Sequence, residues 1–500
     1  MGKVVLLGAG PGEYDLLTIS GEKILKKAQC IVYDRLINND FLNIAPQSCE
    51  KIFVGKMNHN HTLTQDEING LLVEKSREYE LVVRLKGGDP YVFGRGGEEA
   101  LFLKARGIEV EVIPGISSSI AALETAGIPV THRGLSKGFQ VITAHSRNDK
   151  AADIDYELLR DKTVTLVFLM GLSHVGEIAA GLINSGRDEK TPAAVVSGGT
   201  TNHQKKVVGT LKDIGQKVIE SGIESPAIIV VGDVVSLNSE LDFFEKRPLF
   251  GKKYFLPLIR GFQYSYERGS ASSSQNRLKE MLIEKGAEVV TIETGVISPV
   301  ILDSGFFLEN RDGEYIVFTS ANGVRAFFWN LDALNMDVRR LAGFRFAVIG
   351  KNTAEVLRSF GIRADIISEV QNGIHLAETL NNAEKAPVTI NWFTTNNSSE
   401  GFEKTLRSDF RLNKVVCYEN IPVKTEVSTS LEEEIRSCDG VIYTSGSSAE
   451  AVIPVFKDHL PDESYSIGEA CSSKIRKMGG VNIRQAEVSS YQGIVELLCV

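Results

Sequence analysis

Through residues 1–130, short apolar runs ending in glycine or charge alternate with amphipathic stretches. "KVVLLGAG", "CIVYDR", "LVVRLKGGD" and "EVEVIPG" read as strands, with "LTISGEKILKKA", "TQDEINGLLVEKSRE" and "GEEALFLKARG" as the helices between them. Apolar strands alternating with helices predict a mainly parallel sheet covered on both faces. Residues 138–236 stay α/β but carry strands more densely, in "FQVITAHS", "TVTLVFLMG", "PAAVVSGGT", "KKVVGTL" and "PAIIVVGDVV". They read as a second lobe of the same domain. "FFEKRPLFGKKYFL" (243–256) follows the last of these strands, contains Pro248 and Gly251, and leads into a new strand. The pattern therefore predicts an α/β chain with domains at 1–245 (lobes about 1–135 and 136–245) and 246–500.

The second half repeats itself. "IVFTSANGVRAFF" (316–328) matches "VIYTSGSSAEAVI" (441–453), each a strand ending in Thr-Ser before a helix. "FAVIGKNTAEVLRSFG" (346–361) and "YSIGEACSSKIRKMG" (465–479) follow them with a strand, an Ile-Gly turn and a helix. Two similar lobes facing one cleft are expected.

Composition narrows the classes. The 500 residues are 43% hydrophobic and 24% charged, an ordinary globular balance. A formal net charge of -9 argues against a generic nucleic-acid binder, so an anionic substrate needs locally clustered Lys and Arg. The six cysteines have no metal-ligand spacing, which points to reduced thiols in the cytoplasm. His59 and His61 bracket Asn60 without an evident third ligand, so no metal is expected. A strand already under way at position 3 leaves no signal peptide. No apolar run approaches the ~20 residues of a membrane span.

The loops carry the chemistry. Gly8-Ala9-Gly10-Pro11-Gly12 ends the first strand, but a dinucleotide fingerprint needs glycine where Glu13 stands. Asp34 ends the second strand, where an NAD enzyme places its ribose-binding acid. On residues 1–40 alone, a nicotinamide-dependent oxidoreductase and a ligand-free turn both stay open. "RLKGGDPYVFGRGGEEA" (84–100) and "VIPGISSSIAALETAGIPVTHRG" (112–134) then put more glycine and hydroxyl at strand C-termini, the ligand-binding edge of open α/β sheets. That much glycine costs backbone entropy and calls for a functional reason.

"GAGPGEYDLLT", "VYDRLIN", "FVGK", "RLKGGDPYVFGRGGEE" and "PGISSSIAALETAGIPVTHR" resemble the uroporphyrinogen-III C-methyltransferases of the tetrapyrrole methyltransferase family, over about residues 1–245. The resemblance implies S-adenosylmethionine bound between two α/β lobes, released as S-adenosylhomocysteine. Carried over, its contacts fall on Pro11, Gly87, Gly88, Asp89, Val92, Ser117, Ser118, Met170 and Gly199. Asp34 and Lys56 match a general base and a general acid. Arg35, Lys86, Arg95, His132, Arg133 and Lys137 lie on or near the loops, where they can bind a polycarboxylate tetrapyrrole. The family also suggests a homodimer through this half.

Residues 251–500 alone give a two-lobed α/β protein with hydroxyl-rich strand ends, which suits a sugar- or effector-binding module equally well. "IGKNT" fails the phosphate-loop spacing. Yet "VFTSANGVRAFF", "AVIGKNTAEVLRSFG", "VVCYENIP", "IYTSGSSAEAV" and "SIGEACSSKIRKMGG" resemble uroporphyrinogen-III synthase. That likeness implies closure of hydroxymethylbilane, with Tyr418 as proton donor and Thr319, Ser320, Thr353, Thr444 and Ser445 binding carboxylates. Together the halves imply a bifunctional tetrapyrrole enzyme that makes uroporphyrinogen III and methylates it at C2 and C7 to precorrin-2. The alternatives are a methyltransferase carrying a non-catalytic ligand-binding module, and an NAD-dependent oxidoreductase. Sirohaem and cobalamin stay equally open as end products.

Overall fold

The computed structural model describes residues 1–55, 63–144, 153–262, 264–265, 274–305, 313–368, 370, 372–396, 398, 400–423 and 428–500. Lys56, His59 and His61 lie outside them, as does most of "RGSASSSQNR" (268–277). The chain divides into two compact units, Met1–Gly251 and Lys252–Val500.

The first lobe of the first unit holds β1 (Lys3–Gly8), β2 (Cys30–Tyr33), β3 (Glu50–Phe53), β4 (Leu81–Lys86) and β5 (Val110–Ile113). They form a parallel sheet in the order β3-β2-β4-β1-β5. Val4 to Leu7 of β1 are fully buried, because helices cover both faces. Thr64 and Glu67 form a reciprocal cap that starts the helix Gln65–Glu78.

The second lobe holds β6 (Gly138–Thr143), β7 (Val164–Leu169), β8 (Pro192–Ser197), β9 (Lys205–Thr210) and β10 (Ala227–Val231), in the order β6-β7-β10-β8-β9. Only β6 and β7 run parallel; the β7–β10, β10–β8 and β8–β9 pairs are antiparallel. Of these antiparallel pairs β8 and β9 are consecutive and join without an intervening helix, whereas the helices Val175–Asn184 and Ile214–Ser221 separate β7 from β8 and β9 from β10.

The segment after β10 packs back onto this unit. Phe244 and Leu249 are buried, Lys206 pairs with Asp242 at 2.7 Å, and Arg247 reaches Glu13 at 3.4 Å.

The second unit is α/β, and it carries both copies of its repeat on one sheet. Its strands are β11 (Lys253–Arg260), β12 (Glu288–Pro299), β13 (Tyr315–Phe318), β14 (Arg345–Ile349), β15 (Ile366–Ser368), β16 (Thr389–Thr395), β17 (Arg411–Pro422), β18 (Gly440–Tyr443), β19 (Ser464–Ser466) and β20 (Ile483–Gln485). All lie in one sheet ordered β15-β14-β13-β16-β17-β12-β11-β18-β19-β20. The long strands β12 and β17 pair antiparallel at its centre, while each wing is parallel. The repeat is real, but its two copies are wings of one sheet. Among the described residues, no helix is long and apolar enough to cross a membrane, and no three His, Cys, Asp or Glu are placed to hold a metal.

Candidate functional site

Loops at the strand C-termini of the first unit converge. Gly10 and Gly88 exchange backbone hydrogen bonds, Gly10 N–H to Gly88 O at 3.1 Å and Gly88 N–H to Gly10 O at 2.7 Å. A Cβ on Gly115 would sit 2.2 Å from Gly88 O and 2.7 Å from Gly8 C. One on Gly87 would meet Leu36 O at 2.7 Å, and one on Gly199 would meet Ala122 Cβ at 2.2 Å. Much of the glycine therefore serves backbone-to-backbone closure. Gly88 differs: its φ of +66° favours glycine, and its Cα face is open toward the backbone of Ser117 and Ser118.

Asp89 ties the loops together. Its Oδ1 accepts from Tyr91 N–H at 2.8 Å and its Oδ2 from Gly115 N–H at 3.1 Å. Each carboxylate oxygen keeps further acceptor capacity. Ser117 caps the helix Ser118–Thr125. Pro11 is followed by Gly12, whose carbonyl accepts from Asn38 Nδ2 at 3.0 Å. Glu13 N–H donates to Thr200 Oγ1 at 3.2 Å, which joins the first glycine loop to the second lobe. Burial pushes the Glu13 carboxyl up, and Arg247 pulls it part of the way back.

A cleft of about 310 Å³ opens between the lobes, lined by Arg35, Leu36, Met170, Leu172, Ser173, Ser225, Pro226 and Ala227. That volume falls in the range of small-molecule sites. Arg35 and Met170 are sequence candidates, and the sequence reading missed the other lining residues. Met170 is half exposed at φ 57°. Phe93, Arg95 and Thr200 also hold positive φ on these loops, at 54°, 58° and 70°. Non-glycine residues pay steric strain there, and such strain clusters at ligand sites.

Other candidates fall as follows. Val92 is exposed beside Tyr91 and Phe93. Arg95 is exposed and bidentate with Glu98. His132 and Arg133 are exposed in the turn between the lobes, as is Lys137 just after it. Lys86 is a correction: it is 5% exposed and its Nζ lies 2.9 Å from Glu99 Oε1, so it is no surface carboxylate binder. Burial, with Arg84 beside it, holds its ammonium below the usual lysine range.

Asp34 is half-buried beside the cleft. Its Oδ1 accepts from Leu36 N–H at 3.1 Å, and Arg84 Nη2 donates to its Oδ2 at 3.2 Å. Arg84 and Glu99 also escaped the sequence reading. The signal was present: Arg84 and Lys86 in the buried run "LVVRLK" demand a buried acid.

In the second unit, Ser320 and Ser445 cap equivalent helices, accepting from Gly323 N–H and Ser448 N–H. Thr319 Oγ1 accepts from Trp392 Nε1 at 3.2 Å, and Thr444 is half-buried. Thr353 is 5% exposed within the helix Gly350–Ser359, so it lies in the protein interior. Tyr418 is 7% exposed, its hydroxyl 2.9 Å from Ser320 Oγ, and burial pushes the phenol up to about 12.

Residues 3–215 match the Tetrapyrrole (Corrin/Porphyrin) Methylases, and residues 271–496 match Uroporphyrinogen-III synthase HemD. The chain is 36% identical to Porphyrin biosynthesis protein HemD of Ruminiclostridium josui over 512 residues, 99% of this chain and 97% of that protein. It is 48% identical over 241 residues to the S-adenosyl-L-methionine-dependent uroporphyrinogen III methyltransferase of Methanosarcina barkeri, 48% of this chain and 94% of that protein. A solved uroporphyrin-III C-methyl transferase from Thermus thermophilus, complexed with S-adenyl homocysteine, covers 47% of this chain and 93% of its own, at 39% identity and TM-score 0.41.

The chain belongs to the tetrapyrrole methylases in its first unit and to the uroporphyrinogen-III synthases in its second. It joins a uroporphyrinogen-III C-methyltransferase domain to a HemD synthase domain in one polypeptide.

Proposed function

We propose that the second unit cyclises hydroxymethylbilane to uroporphyrinogen III, and that the first methylates this product twice, at C2 and C7, to precorrin-2. The observation that carries the reading is the cleft with Arg35 and Met170 on its wall and Asp34 beside it, in a chain related along its whole length to a HemD protein.

S-adenosylmethionine, when bound, supplies an electrophilic methyl group. The open backbone at Gly88, the spare acceptor capacity of Asp89, and the neighbouring Pro11, Gly87, Val92, Ser117, Ser118, Met170 and Gly199 suit a nucleoside that also bears an ammonium group. Arg35 offers a fork to a substrate carboxylate. Asp34, oriented through both oxygens, takes the proton that the methylated macrocycle must lose, and Lys56 is assigned the acid role. Holding the reacting centres in line supplies most of the rate, and a placed base adds about a hundredfold or more. In the second unit Tyr418, kept protonated, donates to the leaving hydroxyl.

Tethering keeps an easily oxidised intermediate at raised local concentration. We further read the protein as a cytoplasmic homodimer formed through its first unit, which light scattering on a gel-filtration column checks.

The deciding experiment incubates the whole protein anaerobically with hydroxymethylbilane and S-adenosylmethionine and reads products by mass spectrometry. A doubly methylated type-III product is expected. An unmethylated type-I ring, which forms spontaneously, overturns the synthase assignment. Supplied uroporphyrinogen III left unmethylated overturns the other.

A further inference from the structure

Arg84 and Lys86 stand two residues apart on β4 and so point to the same face of the sheet. Their side chains are 4% and 6% exposed, and Glu99, which meets both, is 0% exposed. Glu99 Oε1 receives Lys86 Nζ at 2.9 Å, Gln65 Nε2 at 3.1 Å and Arg84 Nε at 3.4 Å. Its Oε2 is buried with no hydrogen-bond partner. Arg84 Nη1 is pinned by Leu85 O at 3.1 Å and Val32 O at 3.4 Å, and its Nη2 reaches Asp34 Oδ2 at 3.2 Å.

Among the described residues, the chain of charges runs outward to Asp34. Its inner members are enclosed, while Asp34, with a side chain 27% exposed, ends it beside the cleft. Stability does not call for such a chain, since well-packed apolar residues serve a core as well as a buried ion pair does. A half-satisfied carboxylate is a feature that calls for a reason. What the chain does is fix a guanidinium in all but one direction and aim that direction at Asp34.

We propose that Glu99, acting through Arg84, is a positioning residue for methyl transfer: it holds the guanidinium that orients the Asp34 carboxylate. The proposal rests on the reading of Asp34 as the base. Glu99 touches no substrate, so its removal acts on turnover and leaves binding in the cleft intact.

The test uses the full chain with supplied uroporphyrinogen III, comparing wild type, Glu99→Gln, Asp34→Asn and the double variant. Glu99→Gln is expected to lower kcat by about tenfold to a hundredfold, with KM and S-adenosylhomocysteine affinity essentially unchanged. In the Asp34→Asn background it has no further effect, because the group it serves is gone. An equal loss in both backgrounds, or full kcat in Glu99→Gln, overturns the proposal. Should Glu99→Gln fail to fold, Arg84→Gln breaks the same link from the strand side and is judged by the same cycle. Asp34→Asn with wild-type kcat instead defeats the base assignment itself, and the proposal with it.

Discussion

Tyr418 Oη and Ser320 Oγ lie 2.9 Å apart, joining β17 to the first turn of the helix Ala321–Ala333. Ser320 also accepts from Gly323 N–H at 3.1 Å, so one hydroxyl serves both the helix cap and the phenol. With Ser320 as the donor of the pair, the phenol proton is left to give elsewhere.

Tyr418→Phe is expected to cut hydroxymethylbilane turnover by about a hundredfold and to leave the type-I ring as the main product. Ser320→Ala removes a cap as well, and costs about 1 kcal/mol in denaturant unfolding. The phenol titrates near 12 in the folded chain against about 10 unfolded, so its stabilising contribution is full below about 10 and is lost as pH rises through about 12. The stability gap between wild type and Tyr418→Phe narrows across that alkaline window.

Gly115 and Gly97 make a matched pair. A Cβ on Gly115 meets only backbone, as close as 2.2 Å, whereas one on Gly97 meets nothing within 4 Å. Gly115→Ala forces the glycine loops apart and costs roughly 1–3 kcal/mol or more, with loss of S-adenosylhomocysteine binding by calorimetry. Gly97→Ala, inside the helix Gly96–Lys104, gains about 0.5–1 kcal/mol in thermal unfolding.

Met170→Gly relieves the left-handed φ of 57° and raises stability by roughly 1 kcal/mol. The same change strips an apolar wall from the cleft, so S-adenosylhomocysteine affinity falls. Opposite signs in melting temperature and calorimetry are the expected signature.

Arg247→Ala leaves Glu13 without its cation, and the half-buried carboxylate then costs about 1 kcal/mol at neutral pH. Burial already raises the Glu13 pKa, and losing Arg247 raises it further. A carboxyl raised in the folded state contributes stability at low pH and loses it as pH rises through its folded pKa. The deficit of Arg247→Ala therefore shrinks on acidification, which urea unfolding at stepped pH measures.

Alternation of apolar runs with helical stretches made the first sheet legible, and the late helix start after Thr18 follows from its cap. Strand ends rich in glycine marked the loops that do converge. What stayed hidden depends on contacts between distant segments: Glu99 under Arg84, Arg247 on Glu13, and Ser225 to Ala227 on the cleft wall. Lys86 misled because a lysine before Gly-Gly-Asp reads as a loop charge, whereas β4 carries it into the interior. The repeat in the second unit announced two copies of a motif. Which strands joined them was not written in either copy, since β12 and β17 pair by long-range register.

That joining sets an order of assembly during synthesis. The wing from β13 to β16 comes from one continuous stretch and can close as it leaves the ribosome. The other wing cannot: Tyr254 and Phe255 of β11 await Gly440 and Val441 of β18. Non-local pairing of this kind is slow to form and leaves a strand edge open meanwhile. Synthesis releases the compact first unit, which ends at Gly251, before β18 exists to complete the second, and domains generally fold as units in that N-terminal order.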